Sequence, residues 1–339
     1  MGPPTLWGTM EQVMLTGGAG FIGSHLTERL LRDGKNVVVV DNLDPYYDVR
    51  LKHKNLEAVE EAAKAEGAGR YTYVDADVTD LPAIRRIIEE HEIKAVFHEA
   101  AQAGVRASVE DPFKPNRVNV EGTMNVLVAA RDGGVERVIN ASSSSVYGTV
   151  AYLPFDEHHP TRPVSPYGVS KLAAEHYCRV FSEVYGMSTI SLRYFTVYGP
   201  RMRPDLAVPR FSKRLMRGMR PVIFGDGEQT RDYTFIDDIV EANVRLLNPQ
   251  VELTGQAINV GSSDRISIND LLEVLGDLIG SDVDPEYQDT AVGDARDTWS
   301  SIEEARRLIN YQPSHTLEQG LVSFLDWYRH DPEAQELTL

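Results

Sequence analysis

Gln12-Val13-Met14-Leu15-Thr16-Gly17-Gly18-Ala19-Gly20-Phe21-Ile22-Gly23 decides how this chain folds. An apolar run ends at Thr16, glycines follow at 17, 20 and 23, and residues 21–32 carry helical spacing. Strand, glycine turn and helix in that order permit a tight turn, close approach to a pyrophosphate and close packing of helix on sheet. The helix start, with Phe21 and Ile22, then faces the phosphates. Asp41 ends the next strand, 18 residues after Gly23, placed to accept both hydroxyls of an adenine ribose, with Asn42 beside it. A carboxylate there repels a 2′-phosphate, so NAD is expected rather than NADP. Asp77 and Val78, after the third strand, are candidate adenine contacts.

Outward from this turn, short apolar runs alternate with amphipathic segments in the manner of β-α units. Residues 36–40, 70–74, 94–98 and 137–141 read with 12–16 as buried strands of a parallel sheet, and 188–193 as a further strand. Residues 21–32, 81–91, 118–131 and 167–185 read as helices. The expected class is α/β, a Rossmann-type doubly wound parallel sheet with a smaller C-terminal α/β substrate-binding lobe. The expected division puts the NAD-binding domain at 11–195, its sheet completed by segments at about 230–262. An interleaved substrate lobe at 196–330 opens in the Pro- and Arg-rich stretch 198–209. Residues 1–10 and 331–339 read as peripheral tails.

At 339 residues the chain can bury a large core. Its 34 basic and 51 acidic residues leave a net charge of −17, which argues against nucleic acid as a partner and reads as a solvated acidic surface. No apolar run approaches the ~18 residues of a membrane span. The start lacks the basic-then-apolar pattern of a secretion signal. One cysteine, Cys178, fits a reducing cytoplasm and, inside the helix that follows Tyr167, reads as a buried structural thiol. No metal site is expected.

The chemistry lies in Ser142-Ser143-Ser144-Ser145-Val146-Tyr147-Gly148, followed by Tyr167-Gly168-Val169-Ser170-Lys171. Four residues make about one helical turn, so Tyr167 and Lys171 share a face. An unperturbed phenol titrates near ~10, and a neighbouring ammonium makes it more acidic. Serines at a strand end add a hydroxyl relay. With the glycine turn, this points to reversible hydride chemistry on an alcohol.

These residues resemble one family. The glycine turn, His98-Glu99-Ala100-Ala101-Gln102, Asn119, the serine cluster, Tyr-x-x-x-Lys and Gln229-Thr230-Arg231-Asp232-Tyr233 with Asp237-Asp238 are similar to extended short-chain dehydrogenase/reductases, specifically nucleotide-sugar epimerases. The resemblance runs from Val13 to about Trp327. It implies that Tyr167 is the general base, that Lys171 holds the nicotinamide ribose and depresses the phenol pKa, and that Ser143 bridges Tyr167 and the substrate alcohol. It adds Ala100, Ala101, Gln102, Asn119 and Tyr194 to the NAD site. The family's 4,6-dehydratases carry Asp-Glu after the position of Ser143, and its UDP-glucuronate decarboxylases carry Glu at the second of those positions. Ser144 and Ser145 supply no such carboxylate. Elimination is therefore disfavoured, leaving hydride removal from carbon 4 and its return to the other face of a 4-keto sugar, on tightly held NAD.

The loop from Tyr194 to Ala207, Asp44-Pro45-Tyr46-Tyr47-Asp48 and Gln102-Ala103-Gly104-Val105-Arg106 are similar to segments of UDP-glucuronate 4-epimerases. By that resemblance Arg203 grips the sugar carboxylate with Thr196 nearby. A guanidinium can hold a carboxylate by two parallel hydrogen bonds. Oxidation at carbon 4 makes a β-keto acid, which loses carbon dioxide if its carboxylate turns into line with the carbonyl π system, so a clamp on that rotation is needed. The resemblance sets Arg231 on the diphosphate, Arg106, Arg210 and Phe224 near the nucleotide, and Asp294 either at the uridine ribose or in support of its loop. Ala291 stands where relatives often have Arg or Gln, which removes a diphosphate partner unless Arg296 compensates. The expected reaction is 4-epimerisation of UDP-glucuronate; the alternatives are UDP-glucose/UDP-galactose 4-epimerisation and a non-catalytic NAD-binding redox sensor. Family dimers pair the helix of Tyr167 and that of 118–131 with their copies in a four-helix bundle. Ala173, Ala174, Tyr177 and Val180 allow such a face, although an intramolecular face has the same pattern.

Overall fold

The computed structural model describes residues 10–289 and 295–338. In β1 (Gln12–Thr16) and β2 (Asn36–Asp41) every residue after the first is buried, as strands covered on both faces require. They are followed by β3 (Tyr71–Asp75), β4 (Ala95–His98), β5 (Arg137–Ser143) and β6 (Ser188–Tyr194). Short strands come next: β7 (Thr196–Tyr198), β8 (Val222–Phe224), β9 (Thr230–Arg231) and β10 (Tyr233–Phe235), then β11 (Ala257–Val260), β12 (Ile266–Ser267) and β13 (Glu286–Gln288). Among the described residues, seven strands pair in parallel in the order β11-β6-β5-β4-β1-β2-β3. The short strands pair as β7 with β10, β8 with β13 and β9 with β12. The sheet order reverses between β1 and β4. Ligands of doubly wound sheets bind in the crevice at the carboxyl ends of such strands.

Side chains of one strand alternate between faces. Val13 and Leu15 therefore join one core cluster and Met14 the other, as do Val37 and Val39 against Val38 and Val40. Helices cover both faces: α1 (Phe21–Arg32), α2 (Val49–Ala62), α3 (Leu81–Glu90), α4 (Val105–Glu110), α5 (Phe113–Pro115), α6 (Gly122–Asp132), α7 (Pro166–Tyr185), α8 (Ala207–Met216), α9 (Ile236–Arg245), α10 (Ile268–Ile279), α11 (Glu303–Ile309), α12 (Leu317–His330) and α13 (Pro332–Leu337). Among the described residues, no helix is long and apolar enough to cross a membrane.

The start of α7 is set locally. Ser165 accepts a hydrogen bond from Gly168 N at 3.1 Å, Pro166 occupies the first turn, and the helix stops at left-handed Gly186. Tyr167 thus lies in the first turn and Lys171 one turn on. Cys178, on the same helix, is fully buried. Deeper still, Arg193 of β6 makes a bidentate pair with Glu175 of α7 at 2.9 and 2.8 Å and donates to Tyr147 Oη at 2.9 Å.

Three expectations are corrected. The helix expected over 118–131 divides into a π-helical stretch, Asn116–Glu121, and α6. Helix α2 was not anticipated, because its charged sequence buries only Lys52, Asn55, Leu56 and Val59. The described residues of the expected tails are not peripheral: Met10 is 2% exposed within the core, and α13 buries Ala334 while Thr338 bonds Tyr328 Oη at 2.9 Å; residues 1–9 and 339 lie outside the described residues.

Candidate active site

At Gly17, φ is +74°, and a Cβ would lie 2.6 Å from Ala100 N; at Gly23 it would lie 2.3 Å from Gly17 O. Only glycine lets the turn lie against both the end of β4 and the start of α1. Asp41 is aimed at this turn. Its carboxylate accepts from Ala19 N at 3.1 Å and Leu43 N at 2.8 Å, with Lys52 Nζ at 3.5 Å. Asn42 donates to Asp77 at 2.8 Å, joining the ends of β2 and β3.

A cavity of about 350 Å³ runs along these groups, lined by Gly17, Gly20, Phe21, Ile22, Gly23, Asp41, Asn42, Asp77, Val78, Ala100, Ala101, Gln102, Tyr167, Lys171 and Tyr194. A side-chain-free cradle at a helix start, followed by a carboxylate at the next strand end, fits NAD. Asn119 is the exception among the residues expected here. It is 1% exposed, accepts from Gln102 N at 2.7 Å, and donates to Gln102 O and Ser170 Oγ at 3.1 and 2.9 Å. It thereby fixes Gln102, which lines the cavity, and belongs to the π-helical stretch, an irregularity frequent at functional sites. Asp41→Asn is expected to weaken NAD binding about tenfold, the worth of charge on a hydrogen-bonded acceptor, as measured by calorimetric titration.

Lys171 is 4% exposed and its Nζ donates to Ala141 O at 2.7 Å. Burial pushes its pKa down to about 8, opposed chiefly by the negative charge of Glu99. Burial raises the Tyr167 phenol above its ordinary value, and a hydrogen bond with Ser143 and the Arg203 guanidinium pull it back. Ser143 and Arg203 draw the phenol down, and the Lys171 ammonium donates to a backbone carbonyl. Ser143, at the end of β5, accepts from Ser145 N and lies 3.1 Å from Ser145 Oγ.

A second cavity of about 890 Å³ meets the first at Tyr46, Ser143, Tyr167, Thr196 and Arg203. Arg106, Arg210, Phe224, Arg231, Ser144 and Ser145 line it. Arg106 stacks over the Phe224 ring at 4.4 Å and Arg210 at 5.8 Å, an arrangement suited to a flat base beside phosphates. Arg231 is held by its donations to Thr230 O and Arg296 O at 2.8 and 2.9 Å, and Arg296 pairs with Asp226 at 3.1 Å. Asp294 and Ala291 lie outside the described residues.

Arg203 was expected to wait for a substrate carboxylate. In the structure, its Nε and Nη2 already bond Asp205 at 3.0 and 2.9 Å, and its guanidinium lies 5.5 Å from the Tyr46 ring centroid. Burial opposes its charge, but Asp205 outweighs this and holds the guanidinium ionised. Beneath the same loop, Arg201, with φ +65°, pairs with Glu28 and bonds His25 Nδ1 at 2.7 Å, tying the loop to α1. Asp205, Arg201 and Glu99 all stand inside the motifs quoted above, but the sequence reading gave none of them a role of its own.

The model of the NAD dependent epimerase/dehydratase family matches residues 13–261. The chain belongs to that family. This epimerase/dehydratase is 38% identical over 325 residues to the UDP-glucuronate 4-epimerase of Thermodesulfobacterium geofontis, across 96% of this chain and 98% of the relative. It is 36% identical over 323 residues to the UDP-glucose 4-epimerase of Mycolicibacterium smegmatis, across 94% and 99%. The crystal structure of UDP-glucuronic acid 4-epimerase from Bacillus cereus in complex with UDP-glucuronic acid and NAD superposes with a TM-score of 0.87 at 33% identity, covering 94% of this chain and 99% of that one. NAD is thus the cofactor of an enzyme with this fold and this glycine cradle. Among the described residues of this epimerase/dehydratase, no group of three or more His, Cys, Asp or Glu is placed to hold a metal ion.

Proposed function

We propose that this NAD-dependent UDP-sugar 4-epimerase interconverts UDP-glucuronate and UDP-galacturonate. The observation that carries the substrate is the Arg203 guanidinium at the junction of the two cavities, beside Tyr167, Ser143 and Thr196. NAD, when bound, accepts the hydride from carbon 4 and returns it to the opposite face of the sugar. Tyr167 takes the proton of the carbon-4 hydroxyl, with Ser143 bridging the two oxygens, and gives it back to the same oxygen on reduction. Lys171 holds the nicotinamide ribose. Ser144 and Ser145 carry no carboxylate, so no proton leaves carbon 5 through them and elimination does not compete.

Arg106, Arg210 and Arg231 gather the diphosphate, with Phe224 under the base, so local cations overcome the acidic surface. Asp205 takes the Nε edge of Arg203 and leaves Nη1 to meet the sugar carboxylate, while the Tyr46 ring covers one flat face. Held there, the carboxylate of the β-keto acid cannot rotate into line for loss of carbon dioxide.

Asp205 also favours a second reading. It compensates Arg203 without help from the sugar, so a neutral hexose leaves no unpaired buried cation, and UDP-glucose or UDP-galactose becomes an admissible substrate. Incubation of the purified protein with UDP-glucuronate, UDP-glucose and UDP-N-acetylglucosamine, with products separated by anion exchange, decides. The expected result is UDP-galacturonate formed at least tenfold faster than any neutral product. Faster neutral turnover overturns the uronate reading.

The assembly proposed is a homodimer through α6 and α7. Val169, Tyr177, Val180 and Val184 are exposed at helical spacing along α7. Ala174, expected on that face, instead packs inside the chain at 1% exposure. Sedimentation is expected to give twice the chain mass, and Val180→Arg with Val184→Arg to give the single chain. The lone, buried Cys178 supports a place in a reducing cytoplasm.

A further inference from the structure

The loop between β7 and α8, residues 199–206, carries Arg203 and stands between two cavities. In front is the substrate cavity of about 890 Å³; behind is a cavity of about 300 Å³ lined by Leu51, Asn55, Pro204, Pro209 and Trp327, and Met202 lines both. Close packing therefore does not set the place of the loop from behind. The pair of Arg203 with Asp205 lies within the loop and moves with it. Arg201 reaches back to α1. Its Nη1 lies 2.5 Å from Glu28 Oε1, and its Nη2 donates to His25 Nδ1 at 2.7 Å. Nη1 and Oε1 are buried and pair by charge, outside hydrogen-bond geometry, with no other partner among the described residues. Burial, then the Arg201 charge, holds His25 well below its ordinary pKa, so the ring accepts as a neutral imidazole. Arg201 has φ +65°, a left-handed conformation that a residue with a side chain keeps where its surroundings hold it.

We infer that Arg201, held by Glu28 and His25, is a positioning residue that fixes Arg203 relative to NAD and so sets the preference for a uronate. Helix α1 is the one whose start forms the glycine cradle. Gly20, Phe21 and Ile22 line the NAD cavity, and the His25 ring meets Phe21 edge-on at 5.7 Å. The cradle places the hydride acceptor, and Arg203 places the sugar carboxylate. Carbon 4 and the carboxylate belong to one sugar, so the two anchors must keep a fixed separation. Arg201 joins them through α1. A displacement of ~1 Å in a positioning group can cost about 100-fold in rate, and removal of one partner from a buried ion pair strands the other. A neutral hexose offers Arg203 no carboxylate, so its binding does not depend on that register.

The selectivity rests on the uronate reading; the anchor does not. Arg201→Met displaces the clamp without removing it, and is expected to weaken binding of UDP-glucuronate to the NAD-loaded holoenzyme about tenfold and of UDP-glucose less than about twofold, by calorimetric titration. A UDP-pentose, formed when the 4-keto uronate loses carbon dioxide, gains a proton at carbon 5 and takes the hydride back, is expected beside the residual UDP-galacturonate. Glu28→Gln removes the charge from the other end and is expected to shift the affinity ratio in the same direction, which carries the comparison if Arg201→Met fails to fold. Arg201→Lys keeps a cation for Glu28 and is expected to restore the ratio in part. Amide hydrogen exchange of residues 199–206, in holoenzyme without sugar, is expected to be about tenfold faster in the Met variant and close to wild type in the Lys variant. Equal loss of affinity for both sugars, unchanged exchange, or faster exchange with an unchanged ratio overturns the inference. Should the wild type already bind UDP-glucose more tightly than UDP-glucuronate, the uronate reading fails on that measurement, and the exchange rates still decide for or against the Arg201 anchor.

Discussion

Tyr167→Phe is expected to lower kcat by about 10³-fold or more while NAD stays bound. A positioned general base contributes ~10²–10⁴-fold, and phenylalanine keeps the ring and removes only the oxygen. The fold has little reason to change. The backbone N of Tyr167 still donates to Ser108 Oγ at 3.1 Å, the Ser165 cap is untouched, and Ser143 keeps its bonds to Ser145. NAD retention is expected to match the wild type, since the glycine cradle, Asp41 and Lys171 are unaltered. Steady-state turnover of UDP-glucuronate, with NAD quantified by absorbance after denaturation, checks both halves. Full activity in this variant would move the base elsewhere.

Arg203→Ala is expected to cut the ratio of uronate to neutral-sugar turnover about 100-fold. Loss of a charge-assisted, desolvated carboxylate contact is worth ~3 kcal/mol, and 1.4 kcal/mol is tenfold. Two consequences follow from the geometry. The Arg203 charge also pulls down the Tyr167 phenol, so part of the loss extends to every substrate at neutral pH and recovers as pH rises. The pair with Asp205 is broken as well, so Arg203→Ala combined with Asp205→Asn separates the missing clamp from a stranded carboxylate. Released from the guanidinium, the 4-keto uronate is expected to lose carbon dioxide, and a UDP-pentose should accompany the residual epimer in the chromatogram. An unchanged ratio with no pentose removes Arg203 from the carboxylate.

The sheet was most legible where a strand holds a short apolar run, as in β1, β2 and β4. Val37 to Val40 admits no solvated face, and the glycines at 17 and 23 have no other conformationally sound reading beside β4. The substrate lobe was less legible. Its strands at Val222–Phe224, Thr230–Arg231 and Tyr233–Phe235 are two or three residues long, too short for any periodicity to register. Motif spacing found Tyr167 and Lys171, and the resemblance pointed to Arg203, but neither told what each touches. Lys171 bonds a carbonyl of β5, Arg203 is already paired, and Glu99 gains its place from a crossover between distant strands. Asn119 was named for the NAD site, and its side chain bonds Gln102, which lines the cavity, and Ser170. The C-terminal segment looked expendable because its few apolar residues are spread out, yet Ala334 and Thr338 close onto α12.

The central claim, that one NAD-bound site removes and returns the same hydride at carbon 4, is tested most directly with UDP-glucuronate carrying deuterium at carbon 4. The holoenzyme is given no added NAD, and the product is examined by mass spectrometry and proton NMR. The expected result is UDP-galacturonate with the deuterium still at carbon 4 and no deuterium released to water. Loss of the label to solvent, or exchange at carbon 5 with the carbon-4 configuration unchanged, contradicts it.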